Sequence, residues 1–519
     1  MHGRKTRDPR QRRLCPLGYL TRILVSTSAA ALAAFAQAPC EQLKSLELAG
    51  TAITLAESAA AGPFQMPGAP AAAAAPVLPA RCRVAITMRP TADSDIKAEV
   101  WLPAEPGWNG KFLAVGGGGF VGSISYGGMA LALQEGYTTA STDTGHQGPG
   151  ADFALGHPEK VVDFAYRAVH EMTVKAKAII NAHYGRHARL SYWHGCSTGG
   201  RQGLMEAQRY PVDFDGIIAG APANNQIYLC AWRMALMKTV LTDPARALPP
   251  ARTALLNNAV LAACDTLDGV KDGLLADPRK CRFDPATLLC QGAAQDDCLT
   301  APQIETVKMA YSDARKKNGE LIYPGLPPGG ERGWLLPGQS KEPGGIDLGM
   351  FRSVAHQDPN WDWRTFDLER DTALAVERAG FMHATDPDLS AFKARGGKLI
   401  IYHGWNDGGS GGAISPLNSI AYYSSILARM GPDQKDWLRL FMVPGMAHCG
   451  GGPGPNHFNV LAALERWREA GVAPDAILAA RVAGNRVDMT RPLCPYPQVA
   501  VYQGSGSIND AGNFACQAP

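Results

Sequence analysis

The chain has 519 residues, of which 46% are hydrophobic and 19% charged, with a formal net charge of +3. Seven of its 50 basic and one of its 47 acidic residues lie in positions 1–22, so the remainder holds 43 and 46, a formal −3, and gives no electrostatic ground for nucleic-acid binding. The length exceeds a single minimal α/β domain, which calls for an inserted element.

At the N-terminus, the basic stretch 1–22 precedes an apolar run of 14 residues, 23–36, ending in Ala34-Phe35-Ala36. This is the pattern of a cleaved secretory signal; the run is too short to span a bilayer, and no later stretch is long and apolar enough to do so. Arg12-Arg13 raises a twin-arginine route, but no Ser precedes the pair and Cys-Pro follows it. The expected location is therefore secreted or periplasmic. Residues 69–80, rich in Ala and Pro, read as an extended connector.

The strand predicted over 111–115 empties into Gly116-Gly117-Gly118-Gly119-Phe120. Bare backbone of that kind can approach a developing oxyanion. Gly118 is favoured for this role over Gly117 and Gly119. A phosphate loop is not supported, because no Lys-Ser/Thr pair follows.

Residues 188–193 predict a strand and 202–209 a helix, which Tyr210-Pro211 stops. Between them stands His194-Gly195-Cys196-Ser197-Thr198-Gly199-Gly200. Its G-x-S-x-G spacing is that of a nucleophile elbow, a turn that lifts a serine hydroxyl to its apex, with the N–H of the next residue, Thr198, as an oxyanion donor. A chain with 57 glycines also produces the pattern by chance. It recurs at Gly408 to Gly412, but Ser410 lies in a glycine run and the next helix start is deferred to Ser415-Pro416, so Ser197 is the candidate nucleophile.

Past Ala221-Pro222-Ala223 the alternation of strands and helices fades until about residue 391, and 224–391 reads as a lid domain. Within it, residues 265–274 hold three carboxylates and two glycines, a composition that suits a hard cation such as Ca²⁺ without being an EF-hand. Tyr311, Tyr323, Trp334, Phe351, Trp361, Trp363 and Phe366 are concentrated in the same segment, and any one of them reads first as lid core.

Buried parallel strands are predicted at 398–403 and 439–443. Asp407 follows the first and His448 the second, so both lie beyond carboxyl ends, where open α/β sheets keep their sites. Ser197, Asp407 and His448 then occur in the chain order of an α/β hydrolase. The chemistry needs all three, because a serine hydroxyl attacks well only when a neutral imidazole takes its proton and a carboxylate fixes that imidazole. His146, His194 and His403 are rivals for the histidine, but none follows a late strand.

Four motifs together resemble the tannase and feruloyl esterase family, which includes the bacterial mono(2-hydroxyethyl) terephthalate hydrolase. They run from Gly195 to Gly203, from Asp215 to Ala223, from His403 to Asp407, and from Gly445 to Cys449, in that order. The resemblance implies an α/β-hydrolase fold with a large inserted lid domain, arranged as a signal peptide (1–36), a first hydrolase part (37–223), the lid (224–391) and a second hydrolase part (392–519). It implies disulfides Cys196–Cys449, Cys40–Cys82, Cys264–Cys281, Cys290–Cys298 and Cys494–Cys516; of the twelve cysteines this leaves Cys15, in the segment expected to be removed, and Cys230, unpaired as a small buried hydrophobe. It also implies a structural Ca²⁺ held by the side chains of Asp265, Asp268 and Asp272 and the carbonyls of Val270 and Leu274. No C-x-x-C pair supports a zinc site.

The function expected is hydrolysis of small aromatic esters, feruloyl (hydroxycinnamoyl) or galloyl, free or linked to polysaccharide or tannin. A terephthalate monoester hydrolase and a catalytically silent, calcium-stabilised binder of phenolics or carbohydrate are the alternatives. Where the family has a short link after the acid, this chain has Gly408 to Ala413, an insert that would change the acyl wall.

Overall fold

Apolar runs such as Leu399-Ile400-Ile401, which offer water neither face, need a sheet covered on both sides. In the computed structural model, which describes residues 38–67, 75–293, 295–334, 341–408 and 414–518, nine strands build that sheet. They are β1 (Thr51–Ala59), β2 (Arg81–Met88), β3 (Ile96–Pro103), β4 (Lys111–Val115), β5 (Thr138–Thr142), β6 (Leu190–Cys196), β7 (Gly216–Gly220), β8 (Lys398–Gly404) and β9 (Leu438–Val443). Their order in space is β1-β2-β3-β5-β4-β6-β7-β8-β9. The pairs β1/β2, β2/β3 and β3/β5 are antiparallel, whereas every pair from β5/β4 to β8/β9 is parallel.

Six helices carry the argument below: α1 (Tyr126–Gln134), α2 (Ala168–Tyr184), α3 (Thr198–Arg209), α4 (Gln226–Thr242), α5 (Pro416–Met430) and α6 (Val460–Ala470). Burial divides five of them between the faces of the sheet, while α4 packs within the insertion. Met172, Ile179, Leu204, Met205 and Ile426, from α2, α3 and α5, share one apolar cluster with Phe112, Trp193 and Leu399. Met129, Leu133, Leu464 and Trp467, from α1 and α6, share another with Tyr192, Ile218 and Ile400. Adjacent residues of one strand thus feed opposite cores, as the pleat requires.

The segment 224–391 has a core of its own. Trp232, Leu256, Val307, Tyr323, Phe351 and Phe366 cluster there, joined by Phe120, Phe164 and Ile414 from outside the segment. Tyr323 and Phe351 are fully buried, while Tyr311 and Trp361 pack from the edge. The insertion and the sheet nonetheless fall in one unit, Gln37–Pro519.

Two hairpins close the chain, Ile477–Ala483 with Arg486–Leu493 and Val499–Tyr502 with Phe514–Gln517. The proposed leader, the first half of the Ala/Pro connector (69–74) and Ser410 lie outside the described residues. Among those described, no helix is long and apolar enough to cross a membrane.

Candidate active site

Strand β6 runs three residues beyond the predicted Trp193, through His194 and Gly195 to Cys196, and α3 begins at Thr198, so Ser197 alone makes the turn. Its backbone sits at φ 62°, ψ −121°, a conformation that costs a non-glycine residue on the order of 1–3 kcal/mol. The surroundings hold it there. Ser197 N–H donates to Gly220 O at 2.9 Å, and Ser197 O accepts from Arg201 N and Ala223 N, each at 3.0 Å. Glycine is required next to it: a Cβ on Gly195 would lie 2.4 Å from the Gly199 carbonyl, and one on Gly200 2.5 Å from Gly220 O.

Asp407 follows β8 and is 1% exposed. Its Oδ2 accepts from His448 Nδ1 at 2.7 Å and from His403 Nε2 at 3.0 Å, while Oδ1 takes the Ile414 N–H at 3.3 Å. Burial works to raise the Asp407 pKa, but the bonds from His403 and His448 outweigh it and hold the carboxyl below its ordinary value. His403, weighed in the sequence as a rival to His448, is instead a second partner of the same oxygen. Fully buried, it meets Ser419 Oγ at 2.7 Å through Nδ1. That bond sets its tautomer: with Ser419 donating to Nδ1, Nε2 carries the proton given to Asp407.

His448 lies on the loop after β9, its side chain 12% exposed. Trp405 N to Val443 O (2.9 Å) and Asn406 N to Met446 O (3.0 Å) tie that loop to the one bearing Asp407. The bond from Cys196 to Cys449, with Cα atoms 5.9 Å apart, then joins the neighbour of Ser197 to the neighbour of His448. It spans a sequence separation of 253, for which the chain-entropy model gives on the order of 5 kcal/mol. The other bridges are Cys40–Cys82, Cys264–Cys281, Cys290–Cys298 and Cys494–Cys516, and Cys230 is free and buried.

The glycine loop after β4 is anchored to the start of α3. Thr198 Oγ1 donates to Gly119 O at 3.0 Å, and Gly117 N–H donates to Gln202 Oε1 at 3.2 Å. The Gly117 N–H is thereby engaged by Gln202; the Thr198 N–H, in the first turn of α3, has no helical acceptor. The remaining rival histidines are occupied elsewhere. His146 Nε2 meets Phe120 O at 2.7 Å, and His194, whose pKa burial pushes down to about 4, lies within β6.

Sequence reasoning missed Arg201, one turn into α3 and fully buried. Its guanidinium donates to Ala165 O (2.8 Å), Phe164 O (3.3 Å) and Met382 O (3.3 Å), which pins α3 to the residues before α2 and to the insertion. The insertion also meets the loop that carries Asp407. Ser415 Oγ donates to Gly325 O at 2.6 Å, Asn406 Nδ2 to Gly329 O at 2.7 Å, and a Cβ on Gly408 would lie 2.8 Å from Trp334.

In the loop 265–274, Gly269 and Gly273 take φ values of 86° and 77° and turn the three carboxylates back on the chain. Asp265 Oδ1 accepts from Gly273 N at 2.9 Å, Asp268 Oδ1 from Val270 N at 3.0 Å, and Asp272 Oδ1 from Leu274 N at 3.1 Å. Burial first, then neighbouring carboxylates, raise the pKa of Asp268; burial raises that of Asp272 against the opposition of Arg491, which pairs with it at 2.5 Å. Three carboxylates supply oxygens of the kind a hard divalent cation takes, although Arg491 already holds Asp272 Oδ2. Their oxygens are not gathered as closely as those of His170, Glu206 and Asp213, whose ligand atoms lie within 4.8 Å of one another.

A mostly parallel sheet, a serine on a strained strand-to-helix turn, and a buried carboxylate bonded to an imidazole beyond the next strand ends define an α/β-hydrolase-fold enzyme. Comparison with known proteins narrows the class. Residues 82–517 match the family model described as tannase and feruloyl esterase. The chain is 38% identical to an uncharacterized esterase of Xanthomonas campestris pv. campestris, over 97% of this chain and 95% of that one. It is 35% identical to a probable feruloyl esterase B-2 of Aspergillus terreus, over 84% and 86%. Among solved structures, feruloyl esterase B from Aspergillus oryzae superposes with a TM-score of 0.85 at 32% identity, covering 93% of this chain and all of that one. Tannin acyl hydrolase from Aspergillus niger gives 0.73 at 25% identity, covering 92% and 93%. The chain belongs to the tannase and feruloyl esterase family and is a carboxylic ester hydrolase.

Proposed function

We propose that the chain is an exported serine esterase that cleaves hydroxycinnamoyl esters, of which feruloyl esters are the type, through an acyl-enzyme on Ser197. The observation that carries this reading is the 2.7 Å contact between Asp407 and His448, on a loop bonded by Cys449 to the residue before Ser197. His448 Nε2 takes the Ser197 proton as Oγ attacks the ester carbonyl. Asp407, on Nδ1, fixes the tautomer and stabilises the imidazolium. The N–H groups of Thr198 and Gly118 hold the oxyanion. Collapse of the tetrahedral adduct breaks the ester C–O bond, and His448 returns the proton to the leaving alcohol. Water then attacks the acyl-enzyme, giving its proton to His448, and the aromatic acid departs as Ser197 is restored.

A hydroxycinnamoyl substrate is supported by the relatives named feruloyl esterase B, which match at higher identity than the tannin acyl hydrolase. Export is supported by the five disulfides, which need an oxidising compartment. The cation proposed for Asp265, Asp268, Asp272 and the carbonyls of Val270 and Leu274 is Ca²⁺, in a structural role. Hydrolysis of methyl ferulate, methyl gallate and mono(2-hydroxyethyl) terephthalate by the wild type and Ser197→Ala tests the reading. Preference for ferulate, lost in the variant, is expected; preference for either other ester would overturn the substrate, and turnover by Ser197→Ala the mechanism.

A further inference from the structure

Beyond Asp407, a second buried carboxylate stands out because no N–H or O–H donor reaches it. Glu206, near the far end of α3, is 1% exposed, and neither of its carboxylate oxygens has a hydrogen-bond partner. Around it are Asp213, in the turn between α3 and β7, and His170, on α2; one ligand atom from each of the three lies within 4.8 Å of the others. His170 Nδ1 meets Asp213 Oδ2 at 2.6 Å, and the imidazole stacks on the Tyr210 ring with centroids 3.8 Å apart, which fixes its plane. Lys177, the nearby ammonium, is engaged by the main chain: its Nζ bonds the carbonyls of Asp213 and Val212 and neither Glu206 oxygen.

Two buried carboxylates side by side, one without an N–H or O–H donor, cannot both ionise cheaply unless a cation lies between them. An imidazole among the ligands selects a borderline metal over Ca²⁺. We propose that His170, Glu206 and Asp213 form a site for a divalent first-row transition metal of the zinc type. Its three protein ligands come from α2, α3 and the turn into β7, and the partly exposed edge of His170 leaves a way in for the ion and a bound water. Glu206 is nine residues from Ser197 along α3, roughly 13 Å at the helical rise, so the metal braces the nucleophile helix and takes no part in ester cleavage. The site is separate from the 265–274 loop and does not depend on the substrate assigned above.

The test uses untagged mature protein, saturated with Ca²⁺, incubated with ZnCl₂, dialysed and analysed for metal by mass spectrometry, with unfolding followed in parallel. Wild type should retain zinc at about one ion per chain, and its Tm should rise by roughly 3 °C when free zinc exceeds the Kd 100-fold. Glu206→Gln and the milder His170→Gln should each lose at least ten-fold in zinc affinity while still hydrolysing ester, which shows that they fold. Wild type that retains no zinc, or variants that retain it equally, would overturn the proposal; the two carboxyls would then share a proton.

Discussion

Cys196 and Cys449 are bonded to each other, and each is the immediate chain neighbour of a residue proposed for catalysis, Ser197 and His448. The bridge therefore acts at the site itself. Replacing both cysteines by alanine should lower kcat at least ten-fold with a smaller effect on KM, because the loss is in the mutual placement of nucleophile and base. Stability should fall by no more than about 5 kcal/mol, the chain-entropy figure. Kinetics and thermal unfolding of the double variant check both; unchanged kcat in a destabilised protein would make the bridge a staple only.

Asp407 serves two histidines through one oxygen, and His403 is the fully buried one, bonded to Ser419 through its other nitrogen. His403→Gln should reduce kcat by about ten- to a hundred-fold with KM nearly unchanged. By removing a bond to the charged carboxylate it should also raise the Asp407 pKa. Asp407→Asn, which also upsets the His448 tautomer, should cost roughly 10⁴-fold. A pH–rate profile of His403→Gln identical to wild type would remove His403 from a positioning role.

Asp143 gives stability a pH dependence of unusual sign. It is 3% exposed, its Oδ1 accepts from Lys97 N and Gly145 N at 2.9 Å each, and burial lifts its pKa to about 6. The folded state then holds a proton that the unfolded state releases near pH 4. Stability from this group is full below pH 4 and falls as pH rises to 6, by on the order of 3 kcal/mol. Asp407, with its lowered pKa, acts the other way, stabilising above its unfolded value and losing that contribution as pH falls through the folded one. Asp143→Asn should flatten the pH 4–6 limb in chemical denaturation; an unaltered limb would refute the assignment.

If the 265–274 loop holds Ca²⁺ structurally, chelation should lower Tm by several degrees and leave kcat at moderate temperature within about two-fold. Asp268→Ala should reproduce the lowered Tm and no longer respond to chelator. A fall in kcat at unchanged Tm would place the ion in the chemistry instead.

Much of this was legible in the sequence because the proposed chemistry is encoded in short, ordered motifs. Ser197 is flagged by its own glycines, and Asp407 and His448 by the strands they follow. The sequence pattern ends the strand before Ser197 at Trp193, since Gly195 and Cys196 weaken the apolar signal; their pairing with Ala219 and Gly220 of β7 extends it. Likewise α3 starts at Thr198 despite Gly199 and Gly200, because close packing on Gly116, Gly117 and Gly220 overrides their poor helix propensity. What stayed hidden were partnerships between residues distant in sequence. Arg201 with Ala165, Gln202 with Gly117 and His403 with Ser419 follow no local period. The three antiparallel strands β1 to β3 and the two C-terminal hairpins carry no motif to draw attention to them.

The central claim is that Ser197 is the nucleophile, and its most direct test is to label the purified protein with a fluorophosphonate and map the modified peptide. The account predicts one adduct, on Ser197, formed in step with loss of esterase activity and absent from Ser197→Ala. An adduct on any other residue, or complete labelling that leaves ester hydrolysis intact, would contradict it.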